Sequence, residues 1–189
     1  MIKSILLFSL LFGTLSCTTS KKNEKKTPTQ NTIKGEIKSL DDSLKFYYQL
    51  IKENKIKDIH SLYYINAIQK YLEFYHTYPK DNYSAECLDK VQQLLIQQKI
   101  YKAALSYCDT LLKEYPNYKG NAVVLLNAGS IADGILNNKT KLKYYYSKLL
   151  EDYANIDNET KDMVQFRLKH IDLTFDEMIE LQMQKISKK

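Results

Sequence analysis

Among 189 residues the chain has no tryptophan, only three prolines and five glycines, and only three histidines and three cysteines. Each scarcity excludes something. His60, His76 and His170 lie far apart, with no second ligand type at metal-binding spacing from any of them, so they read as surface or half-buried helix residues. The scattered glycines form no phosphate-cradling loop, and no serine stands in a nucleophile elbow. Acidic pairs such as Asp41-Asp42 and Glu151-Asp152 fall near expected helix ends, and Asp41-Asp42 suits the positive field of a helix start. No catalytic constellation assembles from these residues. The expectation is a protein that is not an enzyme and carries no cofactor or metal.

Long apolar runs are missing too. The most continuous one, Ile5 to Phe12, falls well short of the ~20 residues a membrane-spanning helix needs. A lysine at Lys3, this short apolar core and the small residues before a break at Cys17 instead read as a secretory signal. Leu15-Ser16-Cys17, with Thr14 ahead of it, resembles the cleavage box of bacterial lipoproteins. That resemblance implies removal of residues 1–16 and acylation of Cys17, palmitate included. Several acyl chains would hold the protein firmly on a membrane, where a single chain holds it marginally.

Residues 17–39 are rich in Thr, Ser, Asn and Lys and nearly free of apolar side chains before Ile33. A segment of that composition cannot bury enough surface to offset its chain entropy, so a disordered tether is expected. Residues 1–40 hold seven lysines and two glutamates, +5 of the chain's +6, which leaves +1 for residues 41–189. The basic excess thus belongs to the leader and tether. That argues against a nucleic-acid partner, which needs positive charge on the folded surface. A lysine-rich tether beside anionic lipid fits better.

From residue 40 to 189 the text is helical in period. Only Pro79, Pro116, Gly120, Gly129 and Gly134 interrupt it, and no stretch alternates as a strand would. Leu44, Tyr47, Tyr48 and Ile51 mark one apolar face, and Ile65, Ile68, Leu72 and Tyr75 a second. Further helices follow through Leu88–Leu95 and Ala103–Leu112. The most apolar helix, Val123 to Leu136, is expected to be central. Thr140 to Tyr153 is its partner after a turn at Asn137-Asn138. Asp157 to Ile171 and Thr174 to Ile186 close the chain, with Thr174 and Glu177 spaced as a capping box. The linker Asn54–Lys57 is compatible with a turn or with continued helix.

A repeat organises these helices. Tyr78-Pro79 returns 37 residues later as Tyr115-Pro116, and Tyr153-Ala154 follows 38 residues after that. Twelve positions before each Pro stands a small residue, Ala67 and Ala104. Large groups stand eight and five before: Tyr71 and Phe74, Cys108 and Leu111, Tyr146 and Leu149. A period in the thirties with fixed small positions marks stacked helical hairpins.

With Ala67/Pro79 and Ala104/Pro116 in place, residues 58–154 resemble tetratricopeptide repeats, of the elongated kind found in periplasmic outer-membrane lipoproteins such as the barrel-assembly and Tol-Pal coordinator proteins. The third copy departs, with Leu142 at the small position and Ala154 for proline. The resemblance implies an all-α, tetratricopeptide-like α-α superhelix of about eight helices in four hairpins. It also implies a concave face made by first helices. In the repeat frame this nominates Glu86, Asp89, Gln93, Val123, Leu126, Ser130 and Asp133 as a partner groove.

Cys87 and Cys108 fall on two arms of one hairpin whose turn is near Gln98-Lys99, which puts Cys87 within a helical turn of Cys108. Export would allow a disulfide; the alternative is two buried thiols serving as small apolar residues. Sixteen tyrosines are divided between packing, the default for Tyr71, Tyr107 and Tyr144–Tyr146, and a groove role open to Tyr83 and Tyr101. The resulting expectation is a lipid-anchored scaffold of the bacterial envelope, facing the periplasm from the outer membrane. It would dock a peptide segment or helix of a protein partner. A small-molecule or glycan-binding lipoprotein is the alternative, although helical-repeat binders of that kind are larger and rich in tryptophan.

Overall fold

The structure, a computed structural model, describes residues 27–186. Within them the chain forms an all-α solenoid of eight helices: α1 (Gln30–Lys52), α2 (Ser61–Thr77), α3 (Asn82–Gln97), α4 (Tyr101–Glu114), α5 (Asn121–Gly134), α6 (Lys139–Asp152), α7 (Asn158–Lys169) and α8 (Phe175–Ile186). Consecutive helices pack against each other from α1 through α7. The signal and Cys17 lie outside the described residues, as does the tether up to residue 26.

The helix starts are chemically specified. Thr29, Asp81, Asn138 and Asp157 each accept a backbone N–H of the first turn, at 3.2, 2.8, 2.9 and 2.8 Å. The capping box of α8 forms as its spacing predicts: the Thr174 N–H donates to Glu177 Oε2 at 2.7 Å and the Glu177 N–H to Thr174 Oγ1 at 3.3 Å.

The ends of second helices show the repeat most directly. Tyr78, Tyr115 and Tyr153 have φ/ψ of −131/57, −127/62 and −129/74, and each donates its N–H to the carbonyl four residues back. In each copy the carbonyl of that tyrosine then accepts from the N–H three residues on: Asp81, Tyr118 and Ile156. The copy with alanine in place of proline therefore has the same backbone. The aligned positions Ala67, Ala104 and Leu142 are all buried, as are Tyr71, Cys108 and Tyr146, and Phe74, Leu111 and Leu149. In this third hairpin the close approach is made one turn further along α6, at Tyr146. A Cβ built on Gly129 of α5 would stand 2.1 Å from Tyr146 Cε1 of α6.

Turns inside the hairpins are also uniform. Asn54, Lys99 and Asn137 carry φ of 57, 59 and 46°, and each ends a first helix in the left-handed conformation. The linker after α1 is thus a turn. Lysine is a poor choice for this backbone, where Asn or Gly is usual.

Bonds spanning one repeat separate two layers. Among second helices, the Tyr75 hydroxyl donates to Glu114 across 39 residues at 2.8 Å, and the Tyr145 hydroxyl to Asp109 across 36 at 2.5 Å. Among first helices, Asn127 Nδ2 of α5 donates to Gln92 Oε1 of α3 across 35 residues at 3.4 Å. Arg167 of α7 grips Asp133 of α5 with two donors, at 2.6 and 2.7 Å, across 34. Their spacing follows the repeat period because the same surface is presented again one hairpin later.

Two readings change. Residues 30–39 are not tether: Ile33 and Ile37 are fully buried in the common core, each two helical turns ahead of Leu40 and Leu44 respectively. The Tyr78 hydroxyl fastens the entry by donating to the Pro28 carbonyl at 2.8 Å. The folded domain therefore starts at Gln30 rather than at residue 40. Asp41-Asp42, in turn, sits in the middle of α1 instead of at a helix start, and Asp41 accepts the Tyr71 hydroxyl.

Candidate functional site

The face made by α1, α3, α5 and α7 is where partner contact is expected, and the structure resolves it into separate depressions. A cavity of about 340 Å³ lies between α1 and α3, with Leu44 and Leu94 as its apolar floor and Lys45, Lys90 and Gln93 among its polar lining. Two polar pairs close its walls: Tyr71 to Asp41 and Tyr48 to Gln97. Burial, and then the Asp41 carboxylate, hold the Tyr71 phenol above its ordinary range. A second cavity of about 490 Å³ opens beside the loop after α4, with Asn82, Glu86, Tyr115, Tyr118 and Lys119 in its lining. A third, of about 330 Å³, lies near the C-terminal end. It is lined by Ser130, Asp133 and Tyr146 on one side and Met163, Phe166 and Met178 on the other.

The seven nominated residues are split among these depressions. Gln93 lines the first, Glu86 the second, and Ser130 and Asp133 the third. Val123 is exposed and Leu126 half-buried, and neither lines a cavity. Two of the charged nominees are already satisfied. Asp89 accepts from Gln92, Gln93 and the Tyr118 hydroxyl, all at 2.9 Å. Asp133 is committed to Arg167, which is itself buried and donates its remaining arm to the His170 carbonyl at 2.6 Å. These two are structural members of the face. Glu86, Val123 and Leu126 are left to meet a partner, together with the amide oxygen of Gln93, whose nitrogen is held by Asp89, while Ser130 is already bonded to the Leu126 carbonyl. Tyr83 and Tyr101, the other groove candidates, are both half-buried against the core; Tyr83 packs on Phe74, and Lys34 lies 5.0 Å from its ring centroid.

Sequence reasoning missed the residues that hold each repeat junction. Ser84 is fully buried and donates to the Tyr78 carbonyl at 2.7 Å. Asn121, at the same offset of six from its tyrosine, donates to the Tyr115 and Pro116 carbonyls at 2.9 and 3.0 Å. The signal was the equal offset within a frame already marked by Tyr-Pro. At the third copy the equivalent residue is Glu159, which is exposed.

Cys87 and Cys108 are two free, buried thiols in the structure, so no cystine joins the arms of this hairpin. Cys108 Sγ donates to Gln92 Oε1 at 3.6 Å. Burial above all pushes each thiol up to about 12, which removes the reactive thiolate at neutral pH. They fill space in the core, as the alternative reading had it.

Among the described residues no group of three or more His, Cys, Asp or Glu side chains is placed to hold a metal ion. No described helix is long and apolar enough to cross a membrane. No protein-family model matches the chain, and comparison with curated proteins finds no significant relative.

Proposed function

We propose that this chain is a tetratricopeptide-like, lipid-anchored scaffold of the bacterial cell envelope that docks a segment of a partner protein on its first-helix face. The observation that carries the reading is the open cavity between α1 and α3. Its walls are fixed by the Tyr71–Asp41 and Tyr48–Gln97 pairs, while Lys45, Lys90 and the amide oxygen of Gln93 remain available. A pre-formed apolar floor with a few fixed polar groups at its rim suits a short helix or extended peptide inserting one apolar side chain. Two lysines on the rim favour a segment with acidic residues flanking that side chain. The part assigned to Cys17 is anchorage, and its chemistry is that of the lipoprotein-like box around it.

A photo-crosslinking residue at Gln93 in the full chain, expressed in cells, tests the docking. The expected product is one protein species joined at Gln93 and absent when the probe is moved to exposed Lys143 on α6. Labelling at neither position, together with retention of an oligosaccharide by the purified chain, would favour the small-molecule or glycan-binding alternative. The anchor is tested separately by the mass of the N-terminal peptide, which should begin at Cys17 and carry acyl groups.

A further inference from the structure

The two long edges of the solenoid differ in charge and in exposed apolar groups. On one edge lie the turns within hairpins, residues 52–60, 98–102, 135–143 and 170–174, which hold eight lysines against Glu53, Asp58 and Asp172, a balance of +5. On the other lie the loops between hairpins, residues 78–84, 113–121 and 151–159, which hold three lysines against six acids, a balance of −3. The folded domain is close to neutral overall, so the asymmetry comes from how the fold sorts its charges.

Three of the eight lysines have partners. Lys55 pairs with Glu53 at 2.8 Å, Lys141 with Asp109 at 3.1 Å, and Lys139 reaches the Asp172 carbonyl at 3.0 Å. Lys52, Lys57, Lys99, Lys102 and Lys143 are exposed and form no ion pair among the described residues. The first three of these turns each lift one aliphatic side chain into solvent: Leu62 at the start of α2, Ile100 before α4 and Ile135 after α5 are 53, 50 and 50 % exposed. None of the three cavities described above is lined by these residues. Separated aliphatic groups set among lysines without an ion-pair partner match a surface that yields around single side chains and carries negative charge. Anionic headgroups over acyl chains are such a surface.

We propose that the hairpin-turn edge of this domain lies on an anionic phospholipid surface, with its lysines among the phosphates and Leu62, Ile100 and Ile135 dipping below them. The chain's reach permits this if Cys17 is the anchor. α1 starts at the opposite edge and is about 35 Å long over its 23 residues. The thirteen bonds from Cys17 to Gln30 span up to about 43 Å when extended. The edge opposite the membrane would then be the acidic one, and the cavity between α1 and α3 would open sideways, clear of lipid.

The absence of tryptophan makes the test clean, because one introduced tryptophan is a unique fluorophore. Full-length chain carrying Ile100→Trp is reconstituted into phosphatidylcholine vesicles with brominated acyl chains, with and without phosphatidylglycerol. Leu62→Trp is a second reporter, and Asn117→Trp on the acidic edge is the control. Helical circular dichroism confirms that each variant is folded. The expected result is bromine quenching at residues 100 and 62 that requires phosphatidylglycerol, is absent at 117, and is lost in Lys99→Glu/Lys102→Glu chains. Quenching equal at both edges would show only that an anchor brings the domain near the bilayer, and would overturn the proposal. So would no quenching at 100 and 62 in either vesicle. Neither outcome bears on the partner cavity, which the Gln93 crosslink tests independently.

Discussion

Replacing Gly129 by alanine opposes two effects of known sign. In the middle of a helix the change should stabilise, since alanine outranks glycine by about 1 kcal/mol. At this position the new methyl group would sit 2.1 Å from Tyr146 Cε1 and 2.4 Å from Cδ1, inside any allowed contact. The ring of Tyr146 is almost wholly buried and cannot swing into solvent, so the backbones of α5 and α6 must part. Overpacking of this kind costs about 1–3 kcal/mol, and a clash this deep with a buried ring belongs at the upper end. The net expectation is a loss of about 2 kcal/mol. For the 160 described residues this lowers Tm by about 6 °C, taking about 2.1 cal/mol/K of unfolding entropy per residue. Thermal unfolding followed by circular dichroism measures it. Shortening the ring through Tyr146→Leu should reverse the sign, so that Gly129→Ala raises Tm in that background by the ordinary propensity gain. If Gly129→Ala raised Tm in the otherwise unaltered chain, the account of how α5 and α6 come together would be wrong.

Three further outcomes follow from described contacts. Arg167→Met strands the Asp133 carboxylate and should cost about 3 kcal/mol in urea unfolding; adding Asp133→Leu should return a large part of it, and an undiminished midpoint in the single variant would refute the role of the pair. Burial, and then carboxylate bonding, raise the phenol of Tyr75 to about 12 from the ordinary 10.0. Burial carries Tyr83 to about 12, and Tyr71 and Tyr145 are raised in the same sense. The folded chain thus holds these protons more tightly than the unfolded one. Their stabilisation is complete below about pH 10 and is lost as pH climbs toward 12, so Tm should fall across that window and fall less in Tyr71→Phe/Tyr145→Phe. Cys87 and Cys108 should resist iodoacetamide at neutral pH until denaturant is added, as mass spectrometry would show; rapid labelling of the native chain would contradict their burial.

The repeat was legible because Tyr-Pro is a local event: a helix must stop there, and the stop recurs at a fixed interval. The same frame placed Ala67, Ala104 and the large core groups correctly, since their role is set by position within one hairpin. What the sequence hid was relational. Ile33 and Ile37 are sparse apolar residues in a polar stretch, and they become core only because Phe74, Tyr78 and Tyr83 gather around the start of α1. Leu142 departs from the small-residue pattern of the third copy yet is fully buried, and the close approach in this hairpin falls instead at Gly129 against Tyr146. Periodicity gave the angle of Asp89 and Asp133 on their helices but not their partners, Tyr118 and Arg167, which come from elsewhere in the chain. Val123 stays exposed on the nominated face, whereas Ser130 is bonded to the Leu126 carbonyl and lies 3.3 Å from the Tyr146 hydroxyl.

The buried polar residue behind each junction tyrosine has a kinetic consequence. Ser84 and Asn121 tie two junctions shut from within, whereas the exposed Glu159 leaves the joint between α6 and α7 without such a latch. The last hairpin is held by the Arg167–Asp133 grip, the Lys139–Asp172 pair and buried Val164, and it is expected to open as a unit while α1 to α6 stay folded. Amide exchange should then rise in a step at residue 158 rather than a gradient along the chain. The cavity under Met163 and Met178 would be uncovered in the open state, so one end of the stack breathes while the rest holds still.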